Sequence, residues 1–197
     1  ALRERVQAKF NFREPLRVGA AGGIATPASA AAAYLMGAAY VVTGSINQSC
    51  VESGSSDLVR KMLCDAGQAD TAMAPAADMF EMGVKVQILK RRTMFPMRAT
   101  KLYDAYRAYG SVEEMPPAAR EALEKEIFRM PLAEVWRLTR EFFTVRDPHQ
   151  VERAERDPKH RMALVFRWYL GQSSRWANAG VADRQLDYQV WCGPAMG

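Results

Sequence analysis

Two short glycine turns carry residue types that can hold a phosphate: Ala21-Gly22-Gly23 and Thr43-Gly44-Ser45. Glycine leaves backbone N–H groups unshielded, and threonine and serine add hydroxyl donors. Each turn follows a short apolar run, Arg17–Ala21 or Tyr40–Val42. Between the runs, Thr26 reads as a helix N-cap and Pro27 as the first helical residue. Ala28–Met36 is strongly helix-forming, and Gly37 fits its stop. This βαβ unit predicts both turns at the C-terminal ends of neighbouring parallel strands. A lone Gly-Gly would only tighten a corner; the second turn, at the right downstream spacing, favours a bound phosphate. The pattern is neither a dinucleotide fingerprint, since G-x-G-x-x-G is missing and no acidic residue ends the second run, nor a P-loop, since no Gly-Lys-Ser/Thr follows.

The next feature is charge. Lys85, Lys90, Arg91, Arg92, Arg98, Lys101 and Arg107 are opposed locally by Asp104 alone, in a chain of net charge +5. Such an excess suits an anionic partner: nucleic acid, a phosphate-bearing small molecule or an acidic carrier protein. A solvated basic face, or pairing with Glu113, Glu114, Glu121 and Glu124, is the plainer reading. His149 and His160 lie in charged, helix-like stretches and are expected at the surface. Cys50, Cys64 and Cys192 are scattered, without C-x-x-C or a Cys/His cluster, so reduced thiols and no metal site are expected.

Positioning these groups divides the chain into three parts. Residues 1–70 read as α/β, with a further helix at Ser56–Ala66 capped by Ser56 or Asp57 and turning Leu58, Met62 and Leu63 inward. Residues 71–97 read as a connector: Ala69–Pro75 irregular, Pro75–Met82 a helical turn, Val84–Leu89 a short strand or helix end, and Arg91–Met97 barred from regular helix by Pro96. Residues 98–197 read as helical, starting with Ala99–Tyr109 and a capping box at Ser111 and Glu114. Helices then start at Pro117 and Pro131, and after Asp147-Pro148 and Asp157-Pro158, the last ending at Gly171. Their aromatic stripes are expected to be core.

With 197 residues, 49% hydrophobic and 25% charged, the composition is that of an ordinary globular chain. No apolar run nears the ~18 residues of a membrane span, and ALRERVQAKF is no signal peptide. A cytoplasmic location without membrane association is expected. Starting at Ala1 and stopping within GPAMG, the chain reads as cut at both ends.

An eight-stranded barrel cannot close on two strands, but its common phosphate site lies in the loops after strands seven and eight. The AAGGI and TGS spacing resembles FMN-binding barrels related to nitronate monooxygenase and bacterial flavin enoyl-acyl reductases, and is similar in IMP dehydrogenase-type barrels. The longer segments Ala74–Tyr106, Asp157–Asn178 and Asp187–Gly197 resemble the PfaD-type family, the trans-acting enoyl reductases of polyunsaturated fatty acid and polyketide synthases. That resemblance implies an α/β fold class, the C-terminal part of an FMN-binding (β/α)₈ TIM barrel followed by an α-helical substrate or lid domain. It implies FMN bound through Ala21, Gly22, Gly23, Thr43, Gly44 and Ser45, with NADPH as co-substrate. The implied partner is an acyl carrier protein bearing a phosphopantetheine-linked enoyl chain, not nucleic acid, with Arg91, Arg92, Arg98 and Lys101 as contacts. No catalytic residue can be named, because those expected to touch the flavin ring would lie outside this chain. The alternatives are a nitronate monooxygenase-like flavin oxidoreductase, or a non-catalytic basic module docking an anionic carrier or nucleic acid.

Overall fold

Local capping decides where several helices begin. Thr26 accepts the Ser29 N–H at 3.2 Å while Ser29 Oγ accepts the Thr26 N–H at 3.1 Å, a reciprocal box that starts α2 (Pro27–Leu35). Ser56 accepts the Val59 N–H at 3.3 Å and starts α4 (Asp57–Cys64). Asp157 accepts the His160 N–H at 3.0 Å and starts α9 (Pro158–Ala179). The computed structural model describes residues 1–196. The remaining elements are α1 (Leu2–Phe10), β1 (Ala20–Ala21), β2 (Val41–Val42), the single turn α3 (Ser45–Gln48), β3 (Thr71–Pro75), β4 (Lys85–Leu89), α5 (Phe95–Ala108), α6 (Pro117–Leu123), α7 (Leu132–Arg146) and α8 (Pro148–Arg156).

α9 is the axis of the larger core. Its Met162, Phe166, Tyr169 and Leu170 pack with Phe95 and Leu102 of α5, Val135 of α7, and Ile127 and Phe128 of the π-helical turn Glu124–Phe128. Each such large apolar side chain contributes about 1.5–3 kcal/mol on burial. The β3–β4 hairpin joins this core through Ala74 and Ile88. A second core sets Val59, Met62 and Leu63 of α4 against Leu89, Tyr188, Val190 and Cys192.

The expectation of an α/β chain ending a TIM barrel is corrected. The structure is 58% helical and 8% strand. Its sheets are two separate pairs: β1–β2 parallel, with Ala20 opposite Val41 and Ala21 opposite Val42, and β3–β4 antiparallel. Closing a (β/α)₈ barrel takes eight parallel strands; one pair two residues long and a hairpin make no barrel wall.

Smaller differences have identifiable causes. Thr71–Pro75 is a strand, not irregular chain, because Lys85–Leu89 pairs with it along its whole length. α9 runs through Gly171 to Ala179 and stops at Gly180, whose φ of 68° is left-handed. The burial of Ser173 and Ala177 beyond Gly171 outweighs the ~1 kcal/mol cost of a helical glycine. His160 is buried: its Nδ1 lies 2.8 Å from Glu81 Oε1 and its Nε2 2.9 Å from Gln150 Oε1. His149 is exposed.

Candidate functional site

The two glycine turns are brought together. β1 and β2 pair in parallel, so the turns that follow Ala21 and Val42 leave the same end of adjacent strands. Gly22 and Gly23 both take left-handed backbone, with φ of 81° and 72°. That conformation opposes L side chains and turns successive N–H groups outward. A Cβ placed on Gly22, Gly23 or Gly44 would meet nothing within 4 Å. The turns therefore border open space rather than packed protein, and Gly44, at φ −125° and ψ −82°, lies outside the left-handed region.

The hydroxyls are oriented from within. Thr43 Oγ1 donates to Asn47 Oδ1 at 3.1 Å, and Asn47 Nδ2 donates to the Thr43 carbonyl at 3.2 Å. Ser45 Oγ accepts the Gly193 N–H at 2.9 Å, which leaves its own proton to donate. Gln48 Nε2 donates to the Trp191 carbonyl at 2.7 Å. The segment that follows the 3₁₀ turns of Ala182–Asp187 thus braces the second glycine turn, a contact for which the sequence held no signal, since backbone groups supply it.

The basic cluster is largely paired, but not with the glutamates at 113, 114, 121 or 124. Arg91 reaches Asp70 at 3.1 Å and the Asp65 carbonyl at 2.5 Å; Arg92 reaches Asp65 at 3.0 Å, and Lys101 reaches Glu126 at 3.0 Å. These three remain substantially exposed. Asp70 is held below the usual carboxylate range by the Gly67 N–H first, then by Arg91. Arg98 turns inward to a carboxylate that the sequence did not single out, Asp187.

Asp187 is fully buried and is the hub of the C-terminal half. It bonds Arg98, accepts from Tyr169 Oη at 2.8 Å, and faces Arg184 at 3.3 Å and Arg129 at 3.5 Å. Arg184 also donates to the Ile127 carbonyl at 3.1 Å and the Phe128 carbonyl at 2.8 Å, closing the π-helical turn. Burial, then the Asp187 charge, pushes the Tyr169 phenol far above its usual range. Such a network of buried, mutually satisfied charges fixes structure. Among the described residues, no group of three or more His, Cys, Asp or Glu side chains could hold a metal, and no helix is long and apolar enough to cross a membrane.

With this geometry in place, the chain can be set beside known proteins. It is similar in sequence to parts of polyunsaturated fatty acid synthase and polyketide biosynthesis proteins, and in structure to part of an enoyl reductase domain. Residues 109–188 match the inserted helical domain described for [acyl-carrier-protein] S-malonyltransferase. Among particular relatives, a polyunsaturated fatty acid synthase polypeptide of Thraustochytrium sp. is 56% identical over 200 residues, covering all of this chain and 13% of that protein. Polyketide biosynthesis protein PksE of Bacillus subtilis is 45% identical, covering all of this chain and 25% of that protein. The crystal structure of the enoyl reductase domain of MlnA, from the macrolactin cluster of Bacillus amyloliquefaciens, superposes with a TM-score of 0.91 at 41% identity, covering all of this chain and 44% of that one. The chain therefore spans a quarter or less of these two curated relatives.

Proposed function

We propose that this chain is the glycine-turn and helical portion of an FMN-dependent enoyl reductase. It would act on carrier-bound enoyl thioesters in polyunsaturated fatty acid or polyketide synthesis, in the cytoplasm. The observation that carries the reading is the parallel register that sets two open glycine turns side by side. It is supported by the 41% identity to the MlnA enoyl reductase domain.

The residues fit the phosphate end of FMN. Left-handed Gly22 and Gly23 present N–H groups, and the empty space beside them and beside Gly44 admits a phosphate. Ser45 Oγ, already accepting from Gly193, donates its proton to a phosphate oxygen, and Ala21 and Thr43 complete the two turns. The chemistry supplied by FMN is transfer of a hydride, drawn from NADPH, to the β-carbon of the enoyl thioester. This chain's part is to fix the cofactor's anionic end. On this reading residues 1–70 bind the cofactor, 71–97 connect, and 98–197 form the substrate or lid part.

The test is FMN content of the full-length polypeptide. Gly44→Ala adds a methyl to the open space beside the turns, so loss of FMN is expected, with circular dichroism confirming that the helical fold survives. Gly23→Val, which also forces a branched residue into left-handed backbone at about 1–3 kcal/mol, should lose FMN too. Normal flavin retention in Gly44→Ala would reject the assignment.

Carrier recognition falls to exposed Arg91, Arg92 and Lys101, with Arg98 set behind them. Reversing the charge of Arg91 and Arg92 breaks surface pairs worth about 0–1 kcal/mol, so the fold should survive. Reduction of carrier-bound substrate should slow, and the effect should shrink as salt rises. Equal losses with a small free thioester at every salt concentration would remove the docking role.

A further inference from the structure

His160 is a buried imidazole at the meeting of three elements, and the glycine turns make no use of it. Its side chain is 1% exposed. Nδ1 lies 2.8 Å from Glu81 Oε1, in the loop that joins β3 to β4, and Nε2 lies 2.9 Å from Gln150 Oε1 on α8. The protons on this ring follow from its partners. Gln150 Nε2 donates to Asp147 Oδ2 at 3.0 Å. Turning that amide over would set its oxygen against the Asp147 carboxylate, so the amide has one orientation. Its carbonyl oxygen therefore faces His160, and a carbonyl oxygen only accepts. Glu81, as a carboxylate, only accepts as well. Both ring nitrogens must donate, which makes the ring an imidazolium. Drawing the Nδ1 proton across to Glu81 leaves the count unchanged: the pair holds one proton more than a neutral imidazole beside a carboxylate.

The other charged and titratable groups around the pair are engaged elsewhere. Asp157, the α9 cap, feels the His160 charge and faces Arg153 of α8 at 3.6 Å. From α5, Tyr103 and Tyr106 approach Glu81; burial, then the Glu81 charge, raises the Tyr106 phenol. Lys159 lies 4.1 Å from the Tyr106 ring centroid and donates to the Tyr106 and Tyr109 carbonyls. Arg161 turns to Glu113 at 4.0 Å, and Arg140 of α7 to Glu155 of α8 at 3.7 Å. Among the described residues, His160 is the side-chain partner of Glu81.

We propose that His160 is the pin of a proton-controlled clamp. Doubly protonated, it holds the β3–β4 loop on α8 and α9. When the ring gives one proton to solvent, the nitrogen that loses it presents a lone pair to an oxygen already acting as an acceptor. Inside protein such a pair is costly. Glu81 is the member that can leave, since its side chain is 30% exposed, and the loop loosens as it swings into water. Ala77 and Asp78 of the same loop border the cleft between α7 and α9, so the clamp sets the rim of that cleft. No residue of the glycine turns takes part, and the proposal stands or falls apart from the reductase reading.

The test is hydrogen exchange of the full-length polypeptide, read by mass spectrometry from about pH 6 to about pH 9 and corrected for the intrinsic pH dependence of exchange. Peptides covering 76–84 should be most protected at the acid end and lose about tenfold in protection as pH rises, the loss of one bond to a charged group. Peptides from α7 should change little. Glu81→Gln keeps the shape, and its amide can accept from the protonated ring or donate to the neutral one, so its profile should be flat. His149→Gln alters the exposed histidine and should keep the wild-type profile. A flat wild-type profile, an α7 profile that falls in parallel, a pH dependence that persists in Glu81→Gln, or its loss in His149→Gln would overturn the proposal.

Discussion

Two fully buried tyrosines lie in opposite situations. Tyr169 Oη donates to Asp187 at 2.8 Å, whereas Tyr188 Oη has no hydrogen-bond partner among the described residues. Tyr169→Phe should therefore cost about 1.5–3 kcal/mol in urea unfolding, the range for a bond to a charged group, while Tyr188→Phe should be neutral or slightly stabilising. Asp187→Ala should cost more than either, about 3–5 kcal/mol, because it strands Arg98 and Arg184 in a buried site. The sign of the pH dependence follows from Tyr169. Its folded pKa is raised above the ordinary phenol value near 10, so its contribution is complete below pH 10 and is lost at more alkaline pH. Wild-type melting temperature should fall in that range more steeply than that of Tyr169→Phe; parallel curves would show that the phenol does not titrate with unfolding.

At the scale of elements, the two Asp-Pro helix starts look equivalent in sequence and differ in structure. Asp157 caps α9 through the His160 N–H, whereas Asp147 makes no cap bond to α8 and accepts instead from Gln150 Nε2 at 3.0 Å. Asp157→Ala should cost about 1 kcal/mol by thermal or urea unfolding, and Asp147→Ala less. The Asp157 carboxyl is held below its usual range, by the His160 N–H first, so the difference should be full above pH 4 and vanish as pH falls well below it. Such helix starts were legible because the cap, the proline and the first turn are neighbours in the chain. The β1-α2-β2 unit was legible for the same reason. Thr71–Pro75 was not: TAMAP has little strand character of its own and becomes β3 through β4. His160 was misplaced because its partners Glu81 and Gln150 arrive from other elements. Asp187 was overlooked because three of its four partners are distant in sequence, and a lone aspartate in an aperiodic stretch carries no local sign of burial. The barrel expectation came from a resemblance rather than from periodicity, and the strands of this chain do not make one.

The whole molecule buries its apolar groups unevenly. The helical half closes around α9, while the β1-α2-β2 unit exposes Val18, Tyr40 and Val42 and the end of α2 at Leu35 (89%) and Met36 (83%). The parallel pair also has two open edges, each offering unpaired backbone groups. Expressed alone, the 197-residue polypeptide should self-associate and bind a hydrophobic dye, whereas the full-length polypeptide should not show the dye signal from this face. Light scattering after gel filtration checks the first expectation; a monomer without dye binding would show that the exposed face is tolerated in isolation.

The bond between Ser45 and Gly193 joins residues 148 positions apart. During synthesis at about 5–20 residues per second, Ser45 waits roughly 7–30 s for the residue that braces it. The second glycine turn therefore matures among the last contacts of this segment, after the helices between have had time to form. If the turn holds the cofactor, loading waits until Gly193 has been made, and ribosome-bound chains stalled before Trp191 should not retain flavin.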